Sequence, residues 1–324
     1  MHVMNSAIKR RPKPRIKSKN KSYTLKDSAL FKLTTKRRLV ELLGRSISEL
    51  KAFSADTNYR IFHLEKPGKC REIQAPTFEL DVVQTRIASL LVRVATPEYL
   101  HSGIKGRSNI TNAAAHIGDH PVLTMDIQQF YPSVTKKSIF HFFNHTMQVA
   151  PDVAGILAEL CSYDGHIPTG SRISMPLSFW ANYAMYSRIH SLCLCKEVNM
   201  TIFVDDLTFS GANVNKLFRR NIENIIRSAR LTVHPKKTIL YGRRKPKLVT
   251  GAVVDQNGMR VRNKHHKAIY TSFLELAECT NDEQLETIQK QLIGRLNAAG
   301  QIEPAFRQRA KQFCIESGVN NTET

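Results

Sequence analysis

The sequence predicts an α+β fold in which an antiparallel sheet carries the functional residues. Two short apolar stretches each run into carboxylates: residues 122–132 read VLTMDIQQFYP, and residues 201–211 read TIFVDDLTFSG. Both are rich in β-branched and aromatic residues, as strands are. Apolar residues recur at helical spacing in the segments between and after them. Strand–helix–strand units of this kind favour an antiparallel sheet covered by helices.

The second stretch predicts a β-hairpin, and two adjacent carboxylates, Asp205 and Asp206, lie at its tip. An ordinary turn between strands gives the same local pattern, since turns favour Asp. Asp126 favours a metal site instead, because it ends another strand and brings a third carboxylate toward the same end of a sheet. Two metal ions about 3.5–4 Å apart can then act together in phosphoryl transfer. We therefore expect Asp126, Asp205 and Asp206 to be catalytic and to bind Mg²⁺, which prefers oxygen ligands.

The charge of the chain indicates an anionic partner. Lys and Arg number 48 against 27 Asp and Glu, so the formal net charge is +21. A protein this basic repels itself unless an anion accompanies it, and nucleic acid is the obvious candidate. A generic basic protein without such a partner is the alternative.

Other composition features exclude several classes of protein. No apolar run approaches the roughly 20 residues of a membrane-spanning helix, and the basic N-terminus lacks the apolar core of a signal peptide. The six cysteines show no metal-ligand spacing. We therefore expect reduced cysteines and a cytoplasmic location.

A basic hairpin is predicted over residues 59–76, which alternate in polarity around a Pro-Gly turn. Lys66 lies near its tip, and Arg71 lies on the return strand. Basic residues on a hairpin suit the triphosphate of an incoming nucleotide, although a solvated hairpin is the simpler interpretation.

Two further loops have a possible role at a nucleotide. Residues 167–178 form a loop that opens a long helix predicted to reach about residue 195, and Gly170 would let backbone amides approach a base pair closely. Residues 231–238 predict a strand, a turn and another strand, where Lys236 or Lys237 could approach a leaving pyrophosphate. A plain helix start and a solvated turn are the corresponding structural alternatives.

The order of these motifs resembles that of reverse transcriptases over roughly residues 30–315. Phe203 stands where the family usually has Tyr before Asp-Asp, and Thr169 stands where it usually has Gln. The resemblance implies a right-hand polymerase fold with fingers, an antiparallel-sheet palm and a small helical thumb. Residues 1–22 are low in apolar content and rich in Lys and Arg, which predicts a basic, disordered arm. The domains that the resemblance implies are N-terminal helices and fingers (23–120), a palm (121–255, with fingers helices interleaved at about 136–195) and a thumb (256–324).

Two smaller elements resemble those of retron reverse transcriptases. Residues 112–116 read NAAAH, like the Asn-Ala-x-x-His element of retron enzymes, and residues 249–251 read VTG, like their Val-Thr-Gly element. The lack of an added maturase, nuclease or integrase region also fits a retron. The resemblance implies an RNA-directed DNA polymerase that copies its structured noncoding RNA into branched multicopy single-stranded DNA (msDNA). It further implies priming from an internal guanosine 2′-hydroxyl, an accessory effector protein and a role in antiphage defence.

The resemblance also implies roles for single residues. The three aspartates would hold two Mg²⁺ ions, with Mn²⁺ as a substitute, and Tyr131 would pack under the sugar and exclude a 2′-hydroxyl. The nucleotide-binding residues would be Lys66, Arg71, Tyr131, Gly170 and Lys237. The RNA-binding residues would be Asn112, His116, Val249, Thr250 and Gly251.

Three alternatives stay open at this point. Asn112 and His116 fall one helical turn apart, and a packed structural histidine explains them as well as RNA binding does. The chain could instead be another reverse transcriptase, such as a group II intron-like enzyme. It could also be a non-catalytic RNA-binding relative of the polymerases. The identities of the RNA, the branch nucleotide and the effector, and the oligomeric state, do not follow from the sequence.

The basic arm generates a testable prediction. Eight Lys and Arg alternate with Pro and Ser between Lys9 and Lys21, and each phosphate they neutralise should add about 0.9 to the log–log salt slope of binding to duplex, or about 0.7 for a single strand. Deleting residues 1–22 should therefore flatten the slope, measured by fluorescence anisotropy at several salt concentrations. An unchanged slope would mean that the arm is a passive tail.

Overall fold

The computed structural model describes residues 12–66 and 68–318, which form two compact units. The first unit takes in the described residues up to Pro97, together with Gln128–Ser187 and Ala229–Leu231. The second takes in Glu98–Ile127, Arg188–Ser228 and the described residues from Thr232 onward. This division differs from the domain boundaries predicted from the sequence, which stay predictions.

The regular elements are named here in chain order. The helices are α1 (Lys36–Leu43), α2 (Ile47–Phe53), α3 (Phe78–Leu91), α4 (Asn109–Ala114), α5 (Phe130–Ser133), α6 (Lys136–His141), α7 (Pro151–Leu160), α8 (Ser174–Ala181), α9 (Tyr183–Cys195), α10 (Lys216–Ser228), α11 (Asn263–Glu278), α12 (Asp282–Gly300) and α13 (Pro304–Ser317). The strands are β1 (Tyr59–Lys66), β2 (Lys69–Pro76), β3 (Val122–Asp126), β4 (Asn199–Phe203), β5 (Asp206–Ser210), β6 (Ile239–Tyr241), β7 (Lys247–Val249), β8 (Ala252–Asp255) and β9 (Gly258–Arg260).

The first unit joins a two-stranded hairpin to a helical core. Strands β1 and β2 pair antiparallel from Tyr59 opposite Pro76 to the tip, so the predicted hairpin is confirmed. Gln84 of α3 is fully buried and donates to the Tyr59 hydroxyl at 2.7 Å and to the Leu160 carbonyl at 2.8 Å. Because a buried amide is costly when unpaired, this residue ties the base of the hairpin to α3 and α7.

The loop that precedes α8 is hydrogen-bonded to β2. Gln74 donates its backbone N–H to the Thr169 carbonyl at 2.9 Å, and its side-chain Oε1 accepts from the Thr169 N–H at 2.6 Å. The long helix predicted to follow this loop is interrupted at Asn182, where α8 ends before α9 begins. The loop is therefore held by the hairpin.

The described part of the basic arm is anchored to the first unit. Residues 1–11 lie outside the described residues. Within 12–22, Lys17 donates its backbone N–H to Ser89 Oγ at 3.0 Å, and its carbonyl accepts from Arg93 Nη2 at 2.9 Å. The Lys and Arg side chains of this segment are exposed. Residues 12–22 thus have defined backbone contacts, rather than the disorder predicted from their composition.

The second unit contains two antiparallel sheets. The larger has strand order β4-β5-β3-β6 and the smaller β7-β8-β9. Helix α10 buries Phe218, Ile222 and Ile226, which recur at helical spacing along one face. The segment predicted as strand, turn and strand over 231–238 instead contains a 3-10 helix, Pro235–Lys237, before β6.

Helices α11, α12 and α13 form a bundle at the end of the second unit. Their shared core includes Ile269, Leu292, Leu296 and Phe306. The helical C-terminal region predicted from the sequence is confirmed, although its first residues belong to β9. No helix within residues 12–66 and 68–318 is both long and apolar enough to cross a membrane.

Gly170 generates a stability prediction. A Cβ at this position would lie 2.6 Å from Ile73 Cγ2 and 3.0 Å from the Gln74 carbonyl oxygen, and φ is 140°. Gly170→Ala should therefore destabilise the protein by about 2–4 kcal/mol through overlap and backbone strain. Gly155→Ala in α7 is the matched control, since its Cβ meets nothing within 4 Å and helical Ala gains about 0.5–1 kcal/mol over Gly. Equal thermal unfolding midpoints for the two variants would contradict the assigned contact.

Candidate active site

The three carboxylates predicted from the sequence come together at one end of the larger sheet. The β3–β5 register places Asp126 directly opposite Asp206, and Asp205 immediately precedes β5. The Asp205 carbonyl accepts from the Ile127 N–H at 3.0 Å, which joins the two strand ends. Antiparallel pairing brings residues that are 80 positions apart into contact, so the strand register itself builds this site.

The turn between β4 and β5 has a strained backbone that a hydrogen bond to a neighbouring loop stabilises. Val204 has φ of 60°, a left-handed conformation that is unfavourable for a β-branched residue. Its N–H donates to Ser102 Oγ at 3.0 Å, and Ser102 is buried. Strain of this kind persists only when surrounding contacts enforce it, so Ser102 helps to fix the direction in which Asp205 and Asp206 leave the turn.

Negative charge is crowded at this end of the sheet. The pKa of Asp206 is raised to about 7, first by burial and then by the neighbouring carboxylates of Asp205 and Asp126, while Lys237 opposes the rise. Lys237 forms an ion pair with Asp126, whose carbonyl also accepts from the His234 N–H at 2.7 Å. The 3-10 helix thus places a cation against the carboxylates.

The donor set suits a hard divalent cation. Among the residues that the structure describes, no three His, Cys, Asp or Glu side chains are grouped to hold a metal ion, and the Lys237 ammonium takes one Asp126 oxygen. The raised pKa of Asp206 shows that the fold disfavours its ionised form without a counter-charge. Carboxylate oxygens that repel one another are the ligands that Mg²⁺ and Mn²⁺ accept.

A cleft of about 330 Å³ opens beside the carboxylates. Asp126 and Asp206 contribute negative charge to its lining, Lys236 and Lys237 contribute positive charge, and Thr250 and Gly251 also line it. Ile239, Tyr241 and Leu248 add apolar surface. A cleft with carboxylates, lysines and apolar side chains can hold a phosphorylated sugar and its base.

The predicted RNA-binding residues fall into two groups. Asn112, His116 and Val249 are fully buried, so their side chains are not accessible to RNA in this structure. Thr250 and Gly251 line the cleft. Burial arises because the helix that carries Asn112 packs against β4 and β8, so the three buried residues have packing and positioning roles here.

The remaining predicted residues belong to the first unit. Arg71 is exposed on β2, Tyr131 lies half-buried on α5 with its ring centroid 5.6 Å from that of Phe130, and Gly170 lies against β2. The side chain of Lys66 lies outside the described residues. Gly170 is required by its close approach to the hairpin, a different reason from the access to a base pair that the sequence suggested.

Several residues at the site were missed from the sequence. Ser102, Thr201 and Ser210 are buried hydroxyls that bond elements next to the carboxylates. Asn109 bonds the turn at Thr250. The only sequence signal was the presence of Thr201 and Ser210 in otherwise apolar strands, where a buried hydroxyl needs a partner.

Comparison with known proteins adds relatives of one kind. No protein-family model matches the chain. It is 28% identical over 226 residues to the retron Ec86 reverse transcriptase of Escherichia coli, covering 68% of this chain and 70% of that protein. It is 29% identical over 229 residues to the retron Se72 reverse transcriptase of Salmonella heidelberg (strain 579083-10), covering 66% of this chain and 56% of that protein.

A solved structure supports the fold. Apo telomerase from Candida tropicalis matches with a TM-score of 0.53 and 9% identity, over 82% of this chain and 58% of that one. The predicted fold class, α+β with the palm sheet of a right-hand polymerase, is confirmed. The predicted resemblance to retron reverse transcriptases is confirmed by the curated relatives.

The charge crowding generates a prediction that does not depend on activity. The fold raises the pKa of Asp206, so the ionised carboxylate destabilises the folded protein. At pH values above 7 and in EDTA, Asp206→Asn should therefore have a higher thermal unfolding midpoint than wild type. The gain should shrink as pH falls and vanish below about pH 4, where the carboxyl holds its proton in both folded and unfolded states. Added Mg²⁺ should stabilise wild type more than the variant. Equal midpoints at pH 8, with and without Mg²⁺, would contradict this account.

Proposed function

We propose that this chain, a reverse transcriptase related to the retron enzymes, copies its own structured noncoding RNA into branched, RNA-linked msDNA. Synthesis starts from the 2′-hydroxyl of an internal guanosine. The observation that carries the polymerase chemistry is the pairing of Asp126 with Asp206 beside Asp205, at the mouth of a cleft that also holds lysines. The retron-specific steps rest on the relatives and on the two elements at 112–116 and 249–251.

The chemistry is phosphoryl transfer without a covalent enzyme intermediate. Asp126, Asp205 and Asp206 would hold two Mg²⁺ ions, for which Mn²⁺ can substitute. When bound, such ions activate the attacking hydroxyl and stabilise the leaving pyrophosphate. Lys237, which donates to Asp126 in the cleft, supplies an ammonium group for the phosphate oxygens of the nucleotide.

We also propose nucleotide contacts for residues of the first unit. Lys66 and Arg71 contact the triphosphate, because a hairpin carries them as basic residues near its tip and on its return strand. Tyr131 packs under the sugar and excludes a 2′-hydroxyl, which favours deoxyribonucleotides. Gly170 acts by allowing its loop to dock on β2, and so sets the position of the loop backbone.

The nucleic acid is held by charge and by the wall of the cleft. A net charge of +21 supplies sequence-independent affinity for phosphates. Thr250 and Gly251 contact the strand in the cleft, and Val249 supports them from the core. Structured RNA is read through its backbone, 2′-hydroxyls and unpaired bases. The similarity to retron enzymes also supports our proposal of an accessory effector protein and a role in antiphage defence.

The deciding experiment is DNA synthesis by the purified protein on the RNA that copurifies with it. Asp205→Asn should reduce synthesis at least about 10²- to 10³-fold, as for the loss of other groups that stabilise transition-state charge, while RNA affinity stays within about twofold. The change removes ligand charge with almost no change in volume.

Asp119→Asn is the matched control, since Asp119 pairs with Arg244 rather than lining the cleft, and it should retain synthesis. A DNA product that stays joined to RNA after denaturation, and that an enzyme specific for 2′,5′-phosphodiesters releases, supports the branched linkage. Loss of folding or of RNA binding in Asp205→Asn, in place of loss of chemistry, would overturn the proposed function.

A further inference from the structure

Helix α4 and the residue just beyond it contact two different parts of the second unit. The N-terminal end of α4 bonds the turn at Thr250, which lines the cleft. His116, which follows the helix, bonds the two strands of the hairpin that carries Asp205 and Asp206. The helix start is secured by a capping box at Ser108, which stabilises a helix of only six residues.

His116 bridges β4 and β5 beneath the carboxylates. Its Nε2 lies 2.7 Å from Thr201 Oγ1, and its Nδ1 lies 2.7 Å from Ser210 Oγ. Thr201 is opposite Thr208 in the register, so Ser210 is its diagonal neighbour on the same face, about 7–8 Å away. Diagonal residues lie farther apart than directly opposite ones, and the imidazole spans the gap with one nitrogen for each hydroxyl.

The ring works here as a neutral bridge. All three side chains are at most 3% exposed, and burial lowers the pKa of His116 to about 3. A neutral imidazole has one N–H donor and one acceptor nitrogen, so one hydroxyl accepts from the ring while the other donates to it. A second bond, from Asn199 Nδ2 to the Ala115 carbonyl at 2.7 Å, fixes β4 to the end of the same helix.

The bridge lies too far from the carboxylates to take part in chemistry. Thr201 is four residues before Asp205 and Ser210 is four residues after Asp206, a distance of about 13 Å along a strand. His116 is therefore a positioning residue. It fixes the spacing of β4 and β5, and through them the strained turn at Val204.

The other end of α4 holds an unusual backbone conformation. Thr250 has φ of 40° and Gly251 has φ of 96°, and left-handed Thr is unfavourable. Thr250 Oγ1 donates to the Asn109 carbonyl at 2.7 Å, and Asn109 Nδ2 donates to the Thr250 carbonyl at 3.2 Å. Asn112 Nδ2 also lies 3.4 Å from Thr250 Oγ1. These bonds hold the turn where it forms one wall of the cleft.

We infer that residues 109–116, which are α4 and the two residues after it, form a positioning element with two separable roles. His116 sets the geometry of the catalytic hairpin, and Asn109 with Asn112 sets the Thr250–Gly251 turn that contacts bound nucleic acid. This inference rests on the proposed function. It reassigns the Asn-Ala-x-x-His element from direct RNA contact to support of the cleft from both sides.

The two roles predict different kinetic defects in extension of an annealed primer on a generic template. Thr201→Val removes one hydroxyl of the bridge without changing volume, and its larger effect should fall on kcat. Thr250→Val removes the hydroxyl that holds the turn, and its larger effect should fall on KM and Kd for primer–template. Each change should be about 3- to 10-fold, as for the loss of one buried hydrogen bond.

Conservative variants separate positioning from folding. Thr201→Ser and Thr250→Ser keep the hydroxyls and should restore most of the corresponding loss. Asn109→Ala, at a half-buried position, provides a second test of the turn if Thr250→Val folds poorly, and it should also weaken primer–template binding. Kd is measured by fluorescence anisotropy, so this arm remains informative without catalysis.

The outcomes distinguish this inference from the proposed function. A wild-type protein that binds primer–template but makes no DNA would overturn the proposed function, and the Kd comparison would still test the turn. An active wild type in which Thr201→Val and Thr250→Val lose kcat and affinity in parallel, or lose neither, would overturn the division of roles. The division of roles is supported if Thr201→Val lowers mainly kcat, Thr250→Val weakens mainly primer–template binding, and the corresponding Ser variants restore each loss.

Discussion

Repulsion among three carboxylates is the constraint on which the second unit depends. The β3–β5 register forces Asp126 and Asp206 to face each other, with Asp205 one residue away. Burial, and after it the neighbouring carboxylates, raise the pKa of Asp206, as is expected of a buried carboxylate beside others. The fold holds the arrangement through backbone hydrogen bonds, because the ladder of a sheet does not depend on the charges at its end.

Supporting contacts surround this site on several sides. Ser102 bonds the strained turn at Val204, Lys237 pairs with Asp126, and His116 joins β4 to β5. Ser102 and His116 are buried, where an unpaired polar group would be costly, whereas Lys237 is exposed and acts through its ion pair. Satisfied polar groups in a core stabilise one arrangement over others, which suits a site whose charges would otherwise separate.

In the first unit, hydrogen bonds and a close backbone contact fix the position of the loop at Thr169 and Gly170 on β2. Thr169 stands where reverse transcriptases usually have Gln, and its backbone is bonded instead by the side chain and the backbone of Gln74. Gly170 allows this close approach, because any Cβ would collide with β2. The loop is thereby fixed to the basic hairpin, so the two parts proposed to contact the nucleotide are held together.

Local sequence patterns were enough to predict the hairpin at 59–76, the helical C-terminal region and the placement of Asp126, Asp205 and Asp206 at strand ends. These features depend on neighbouring residues, through alternation, periodicity and turn preference. Partners distant in the chain depend on packing instead: His116 meets Thr201 and Ser210 at separations of 85 and 94 residues. No local preference specifies such contacts. The sequence therefore left both RNA binding and a structural role open for His116, and only the strand order and register show that it is buried between β4 and β5.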